Sequence, residues 1–219
     1  MIHESNIEKM VYFVRHGQST GNITPVFQSP DSPLSEKGKE QAERIAERIS
    51  KISFDALISS PYPRAKQTAE VIAKAAGKEP EFSDLFVERM KPTSVNGKTY
   101  EDKEATALWR EWERSLYITG MRAGDGENYD DHVARADRAL EYLAARPEKS
   151  LVVVTHGYFL RTIVARTIVG DLLSGELLRR FQRIAAMENT GISVLRFHGG
   201  FEEEPTWRFW IYNDHSHLG

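Results

Sequence analysis

The chain has no cysteine, which removes disulfide staples, thiolate-ligated zinc and thiol nucleophiles from its chemistry and fits a reducing compartment. It lacks an excess of either charge. Its 29 Lys and Arg face 32 Asp and Glu for a formal net charge of -3, and no basic run is long enough to track a nucleic-acid backbone, so no nucleic-acid partner is expected. It also lacks any apolar stretch approaching the ~20 residues of a membrane helix, since His, Arg or Pro interrupts the longest candidates. The polar segment Met1 to Lys9 carries both charge signs and has neither the basic start nor the apolar core of a signal peptide. A cytoplasmic protein without a membrane partner is the expectation. At 219 residues the chain is long enough for one domain that buries roughly 70% of its unfolded surface without a staple.

What is present is an alternation of buried strands and amphipathic helices. Met10 to Val14 is a continuous apolar run that reads as a strand covered on both faces, and it stops at Arg15-His16-Gly17. Ser35 precedes Ala42, Ile45, Ala46 and Ile49 at helical spacing, which predicts a helix from Ser35 to about Lys51. Ala56 to Ile58 is a second strand running into Ser59-Ser60-Pro61, and Tyr62 to Ala76 a second helix with Gly77 as its stop. Phe82 to Val87 reads as a further strand-like piece ending at Glu88-Arg89. Pro92, Gly97, Gly120, Gly124 and Gly126 then break the pattern around one aromatic helix with Ala107, Leu108, Trp112 and Leu116. This stretch, about 89–130, reads as an insertion that covers substrate.

Helical spacing returns at Val133, Ala136, Leu140 and Leu143. Leu151 to Val154 is the clearest buried strand, and it stops at Thr155-His156-Gly157. Phe159 to Val169 is an apolar helix, and Ile192 to Phe197 and Thr206 to Tyr212 are closing strands. The expected fold is a single α/β domain over 1–219, a three-layer sandwich whose largely parallel central sheet carries helices on both faces and an inserted helical cap.

Ligands of such sheets bind outside the carboxyl ends of the strands. Arg15-His16, Ser59 to Arg64, Glu88 and Thr155-His156 all follow predicted strands, so four pieces of chemistry should meet on one rim. Displacing the leaving group of a phosphate ester needs an in-line nucleophile, cations around the non-bridging oxygens and an acid for the departing oxygen. A neutral imidazole can supply the first, Arg15 and Arg64 the second, and Glu88 the third. His156, held protonated by a bound anion, would add another donor. Taken singly, each residue has a plainer reading: a His-Gly after a strand is usually a turn, and a loop Arg or Glu is usually solvated. The combination carries the weight.

Val14-Arg15-His16-Gly17-Gln18-Ser19 with Asn22, Ser32-Pro33-Leu34-Ser35 with Gly38 and Gln41-Ala42, Ser59-Ser60-Pro61 with Arg64-Ala65 and Thr68-Ala69, and Val154-Thr155-His156-Gly157 together resemble the histidine phosphatase superfamily, which includes the cofactor-dependent phosphoglycerate mutases. The resemblance spans about residues 10–197. It implies His16 as the phosphorylated nucleophile and Arg15, Arg64 and His156 as the phosphate pocket. It further implies Asn22 and the Gly157 N–H as phosphate donors, Glu88 as proton donor and a small phosphorylated substrate. Asp84, Glu101 and Asp102 are the neighbouring carboxylates that could stand in for Glu88. No metal and no cofactor are expected.

Phosphatase is the branch expected, because Ile23 to Pro30 lacks the Thr-Gly-Trp character of a mutase and no Leu-Asn-Glu-Arg-His-Tyr-Gly run surrounds Glu88. Arg89 and Lys91, adjacent to Glu88, are the cations expected to reach substrate; Lys98, Arg110, Arg114 and Arg122 are read as a solvated helix face. A phosphoglycerate mutase and a non-catalytic phosphate- or partner-binding protein are the alternatives. Asp214-His215-Ser216-His217 has the alternation of a metal site, but it lacks further carboxylates and is read as a polar tail packed near the rim.

Overall fold

The computed structural model describes residues 7–199 and 206–219; most of the polar segment Met1 to Lys9 lies outside them. Among the described residues six strands form one sheet: β1 (Ile7–Arg15), β2 (Ala56–Ser59), β3 (Pro80–Phe82), β4 (Ser150–Thr155), β5 (Ile192–His198) and β6 (Thr206–Asp214). The order is β3-β2-β4-β1-β5-β6. The first four in that order are parallel, and β5 and β6 are added antiparallel at one edge.

Among the described residues there are six α-helices: α1 (Glu36–Ile49), α2 (Pro63–Ala76), α3 (Lys103–Ser115), α4 (Tyr129–Ala145), α5 (Gly157–Val169) and α6 (Gly175–Ile184). Ile45, Ile49, Ala69 and Ile72 of α1 and α2 pack with Val152 and Val154 on one face. Leu140, Leu143, Phe159 and Ile163 of α4 and α5 pack with Val11, Phe13 and Val153 on the other. Alternate residues of β1 and β4 therefore feed opposite cores, which is why both strands read as unbroken apolar runs. Each fully buried Ile or Leu contributes about 1.5–3 kcal/mol, so an Asp at Ile45 would break the α1 contact. No helix among the described residues is long and apolar enough to cross a membrane.

The helix ends follow local chemistry. The Ser35 hydroxyl accepts the Gly38 N–H at 3.1 Å and starts α1. Gly77, at φ 64°, closes α2 in the left-handed conformation that glycine adopts without strain. Two elements differ from the reading above. The stretch 82–87 is not a strand: β3 ends at Phe82, and Ser83 starts a short 3-10 turn over Asp84–Phe86. Its carbonyls are held elsewhere, with Phe86 accepting the Thr155 hydroxyl at 2.7 Å and Leu85 and Val87 accepting the Arg135 guanidinium at 3.1 and 2.9 Å. Helix α6, capped by Ser174, lies in a segment to which the alternation assigned nothing.

Candidate active site

The register of the sheet assembles the floor of the site. Arg15 at the end of β1 is the partner of Thr155 at the end of β4, and the His16 N–H donates to the Thr155 carbonyl at 2.9 Å. Parallel neighbours leave the sheet side by side. The next residues, His16 and His156, therefore bring their rings edge to face, 4.9 Å apart. β2 supplies the third piece, because the Ser60 N–H donates to the Val154 carbonyl at 3.0 Å, and Ser60 Oγ lies 2.8 Å from His156 Nε2. Arg64, in the first turn of α2, reaches back so that its Nε–H donates to His16 Nε2 at 3.2 Å.

The His16 loop is fixed from several sides. Its carbonyl accepts the Asn189 side-chain amide at 2.9 Å, and the Thr190 N–H donates to the Arg15 carbonyl at 2.9 Å. Asn189-Thr190-Gly191 thus clamps the loop as well as starting β5. The Gly17 N–H donates to Thr68 Oγ1 at 3.1 Å. A Cβ at Gly38 would stand 1.9 Å from the Gln18 carbonyl, so this backbone-to-backbone approach requires glycine.

Protonation follows from those partners. His16 Nδ1 faces the carbonyl of Gly17 at 2.6 Å and must donate to it. Nε2 then keeps its lone pair and accepts from Arg64. Burial, followed by the charges of Arg64 and Arg15, holds the His16 pKa well below its ordinary 6.5, so the ring is neutral. His156 is lowered in the same way, by burial and then Arg64. Arg64 itself is lowered to about 10 by burial. Arg15 Nη1 donates to the Met187 carbonyl. Arg15 Nε and His156 Nδ1, however, are buried with no hydrogen-bond partner among the described residues. Such groups are destabilising until an anion or water meets them.

Glu88 stands at the N-terminus of α5, where its carboxylate accepts the N–H groups of Tyr158 and Phe159 at 3.2 and 3.1 Å and that of Arg89 at 3.0 Å. Burial raises its pKa, but the Arg89 charge and N–H and the Arg64 charge outweigh it. Glu88 is left below the ordinary carboxylate value and ionised. Gly157 opens α5 against the Arg15 guanidinium; a Cβ there would stand 3.0 Å from Arg15 Nε. Of the alternative carboxylates, Asp102 caps α3 by accepting the Ala105 N–H at 3.0 Å, and neither Asp84 nor Glu101 lines the cavity.

A cavity of about 800 Å³, open to solvent, leads to this floor. Asn22, Arg64, Glu88, Arg89 and Lys91 line it, whereas His16 and His156 sit deeper, 3% and 0% exposed. Asn22 is exposed at the mouth and accepts the Ser19 N–H and hydroxyl at 3.0 and 2.9 Å. The Arg89 guanidinium lies over the rings of Tyr158 and Trp112, with centroids at 4.5 and 5.0 Å. Lys91 donates to the Gln28 carbonyl, and burial with the nearby charges of Arg64 and Arg89 lowers its pKa to about 8. The insertion also pairs with the 23–30 loop, through a bridge between Val26 and Thr99 and the Phe27 N–H donating to the Lys98 carbonyl at 2.9 Å.

A second tier went unread in the sequence. Glu127 and Arg135 are buried and paired through Nε–Oε1 at 2.6 Å and Nη2–Oε2 at 2.8 Å. His132 Nδ1 lies 3.0 Å from Glu127 Oε2. Arg135 also donates to the carbonyls of Leu85, Val87 and Glu88, and Glu127 accepts the Met90 N–H at 3.1 Å. The pair therefore sets the backbone on both sides of Glu88. Its signal was available: His132 and Arg135 fall on the same face of α4 as Ala136, Ala139 and Leu143, where charge is not expected without a partner.

At the C-terminus, Asp214 pairs with Arg48, and His217 lies 3.0 Å from Thr190 Oγ1 and 3.2 Å from Arg48 Nη1. His215 Nδ1 is directed at the Asn213 carbonyl at 2.7 Å. The tail braces the 188–191 clamp against α1.

The chain is similar to known proteins over most of its length. The chain is 33% identical over 168 residues to a probable phosphoglycerate mutase GpmB of Photorhabdus laumondii, covering 73% of this chain and 74% of that protein. It is 30% identical to the probable GpmB of an Enterobacter species, over 95% and 94% of the two chains. Among solved structures, a putative α-ribazole-5'-P phosphatase of Escherichia coli superposes with a TM-score of 0.76 at 18% identity, covering 94% of this chain and 97% of that one. A mycobacterial glucosyl-3-phosphoglycerate phosphatase does so at 0.69 and 23%, covering 94% and 99%. These likenesses show the shared fold. The family model for the histidine phosphatase superfamily, branch 1, matches residues 11–209, and the chain belongs to that superfamily.

Proposed function

We propose that the chain is a metal-independent phosphomonoesterase that works through a phosphohistidine on His16 and acts on a small phosphorylated metabolite. The observation that carries this reading is the neutral His16 ring, with its Nδ1–H committed to Gly17 and its Nε2 lone pair held beside Arg64. A phosphate entering the floor takes the Arg64 N–H onto its own oxygens and frees that lone pair. It also meets the unpartnered Arg15 Nε and His156 Nδ1. Nε2 then forms the P–N bond as the ester P–O bond breaks, and the departing oxygen takes a proton from Glu88.

The empty site holds Glu88 ionised, so its proton arrives with the substrate, whose negative charge beside the carboxylate raises its pKa. Water attacks the phosphoryl group in the second step. Glu88 accepts its proton, the P–N bond breaks, orthophosphate leaves and Nε2 regains its lone pair. Asn22, Arg89 and the Gly157 N–H are assigned to substrate binding, and the segment 89–130 to covering the site.

The test is release of p-nitrophenol from p-nitrophenyl phosphate in excess EDTA, for wild type and His16→Ala. Turnover by wild type alone is expected; loss of the wild-type rate in EDTA, or retention in the variant, refutes the mechanism. The names of the GpmB relatives support a second reading as a phosphoglycerate mutase. Supplying 3-phosphoglycerate and following phosphorus by NMR separates the two: a mutase yields 2-phosphoglycerate, a phosphatase orthophosphate. The open cavity, which admits water to the phosphohistidine, favours the phosphatase.

A further inference from the structure

The wall of the cavity is aromatic in a way that phosphate chemistry does not need. Phe27 is buried beneath the Trp109 ring, stacked at 5.5 Å and 29°, and Tyr100 meets Phe27 edge to face at 4.8 Å. Val95, Ala105 and Leu108 pack behind them, so the wall is preformed. Tyr62 faces the same space from the floor, its ring under the Arg64 guanidinium at 5.3 Å and against His156 at 5.3 Å. Trp112 has a structural use, since its Nε1–H donates to the Glu127 carbonyl at 2.9 Å and its face carries Arg89. Trp109 and Tyr100 have no such use on their cavity side, and Tyr100 is 53% exposed.

Volume and charge point the same way. At about 30 Å³ per water, the 800 Å³ cavity holds some two dozen waters, and a three-carbon phosphate would leave most of them in place against apolar rings. Lys91 feels the charges of Arg64, Arg89 and Glu88, while Asp125 is committed to Thr93, at 2.9 Å to its N–H and 2.7 Å to its hydroxyl. The inner end of the cavity suits a phosphate, and the part lined by Trp109 and Tyr100, with Arg110 beside them, a body with a flat face.

We propose that the wall of Trp109, Tyr100 and Tyr62 selects phosphate monoesters whose alcohol carries a ring, and discriminates against short-chain phosphates. This rests on the phosphomonoesterase reading and adds its substrate class. Aryl groups, nucleobases and sugars share the recognised feature, a flat apolar face.

The test compares kcat/KM within matched pairs: 2-phenylethyl phosphate against ethyl phosphate, and adenosine 5'-monophosphate and glucose 6-phosphate each against glycerol 3-phosphate. At least one ring-bearing member is expected to exceed its partner by about tenfold, and the pair that does so identifies the kind of ring. Trp109→Ala and Tyr100→Ala should remove that advantage through KM and leave the short partner unchanged, with Trp109→Phe retaining most of it. Pairs that agree within about threefold, or variants that slow both members alike or neither, overturn the proposal. Turnover by His16→Ala would instead overturn the underlying mechanism, so the two failures are distinguishable.

Discussion

Arg135→Met removes one partner of a buried pair and leaves its hydrophobic stem. In the native protein the guanidinium makes five hydrogen bonds to oxygen: both oxygens of Glu127 at 2.6 and 2.8 Å, and the carbonyls of Leu85, Val87 and Glu88 at 3.1, 2.9 and 3.3 Å. The variant strands the Glu127 carboxylate, 5% exposed, with only His132 and the Met90 N–H. Deleting one member of a buried pair costs about 3–5 kcal/mol. With a urea slope of about 2 kcal/mol per molar, the unfolding midpoint falls by roughly 2 M.

The same change loosens the Glu88 carbonyl, so kcat for p-nitrophenyl phosphate should fall by about tenfold or more below the midpoint, where the protein is folded. Glu127→Gln combined with Arg135→Met should recover part of the stability, because no charge is then left unpaired. A stability loss under 1 kcal/mol, or an additive double variant, refutes the energetic argument. An unchanged kcat with the full stability loss refutes the positioning role.

The pKa of Lys91, lowered to about 8 by burial and by Arg64 and Arg89, predicts that KM for anionic substrates rises as pH passes 8; Lys91→Met should remove that rise. His16, His132 and His156 are all buried with pKa values below 6.5, so the unfolded chain binds protons more readily. Stability is then held above pH 6.5 and lost as pH falls below it, by up to about 1.4 kcal/mol per pH unit for each ring; urea midpoints between pH 7 and 5 measure the slope, which His132→Gln should reduce. Orthophosphate at about 100 times its dissociation constant should add about 2.7 kcal/mol and raise Tm by several degrees, and Arg64→Met should abolish the shift.

The parallel core and its rim were legible because their signals are local. Unbroken apolar runs at 10–14 and 151–154, each ending in His-Gly, fix two adjacent strands, and the register Arg15 to Thr155 then sets the histidines side by side. Glu88 was placed at the rim for a reason that does not hold. It follows a 3-10 turn rather than a strand, and tertiary contacts from Arg135 and Thr155 replace the ladder that the sequence suggested. Helix α6 was missed although Ser174 caps it and Leu178 and Gln182 recur on its buried face; its exposed Leu177 and Ile184 blur the period. The aromatic wall could not be read at all, since Phe27 and Trp109 lie far apart in the chain and meet only because the 23–30 loop pairs with the insertion.

The floor and the wall answer different physical demands, and the chain separates them. The floor brings Arg15, Arg64, two neutral histidines and one carboxylate into a volume where two buried nitrogens, Arg15 Nε and His156 Nδ1, lack partners among the described residues. That arrangement suits an anion, which on the proposed reading is phosphate, and it is held by sheet register and backbone hydrogen bonds. Tyr62 stands beside the floor, but Trp109 and Tyr100 hang on the insertion and pack on Phe27 of the 23–30 loop. Substitutions there can change which alcohol is accepted without disturbing Nε2 of His16.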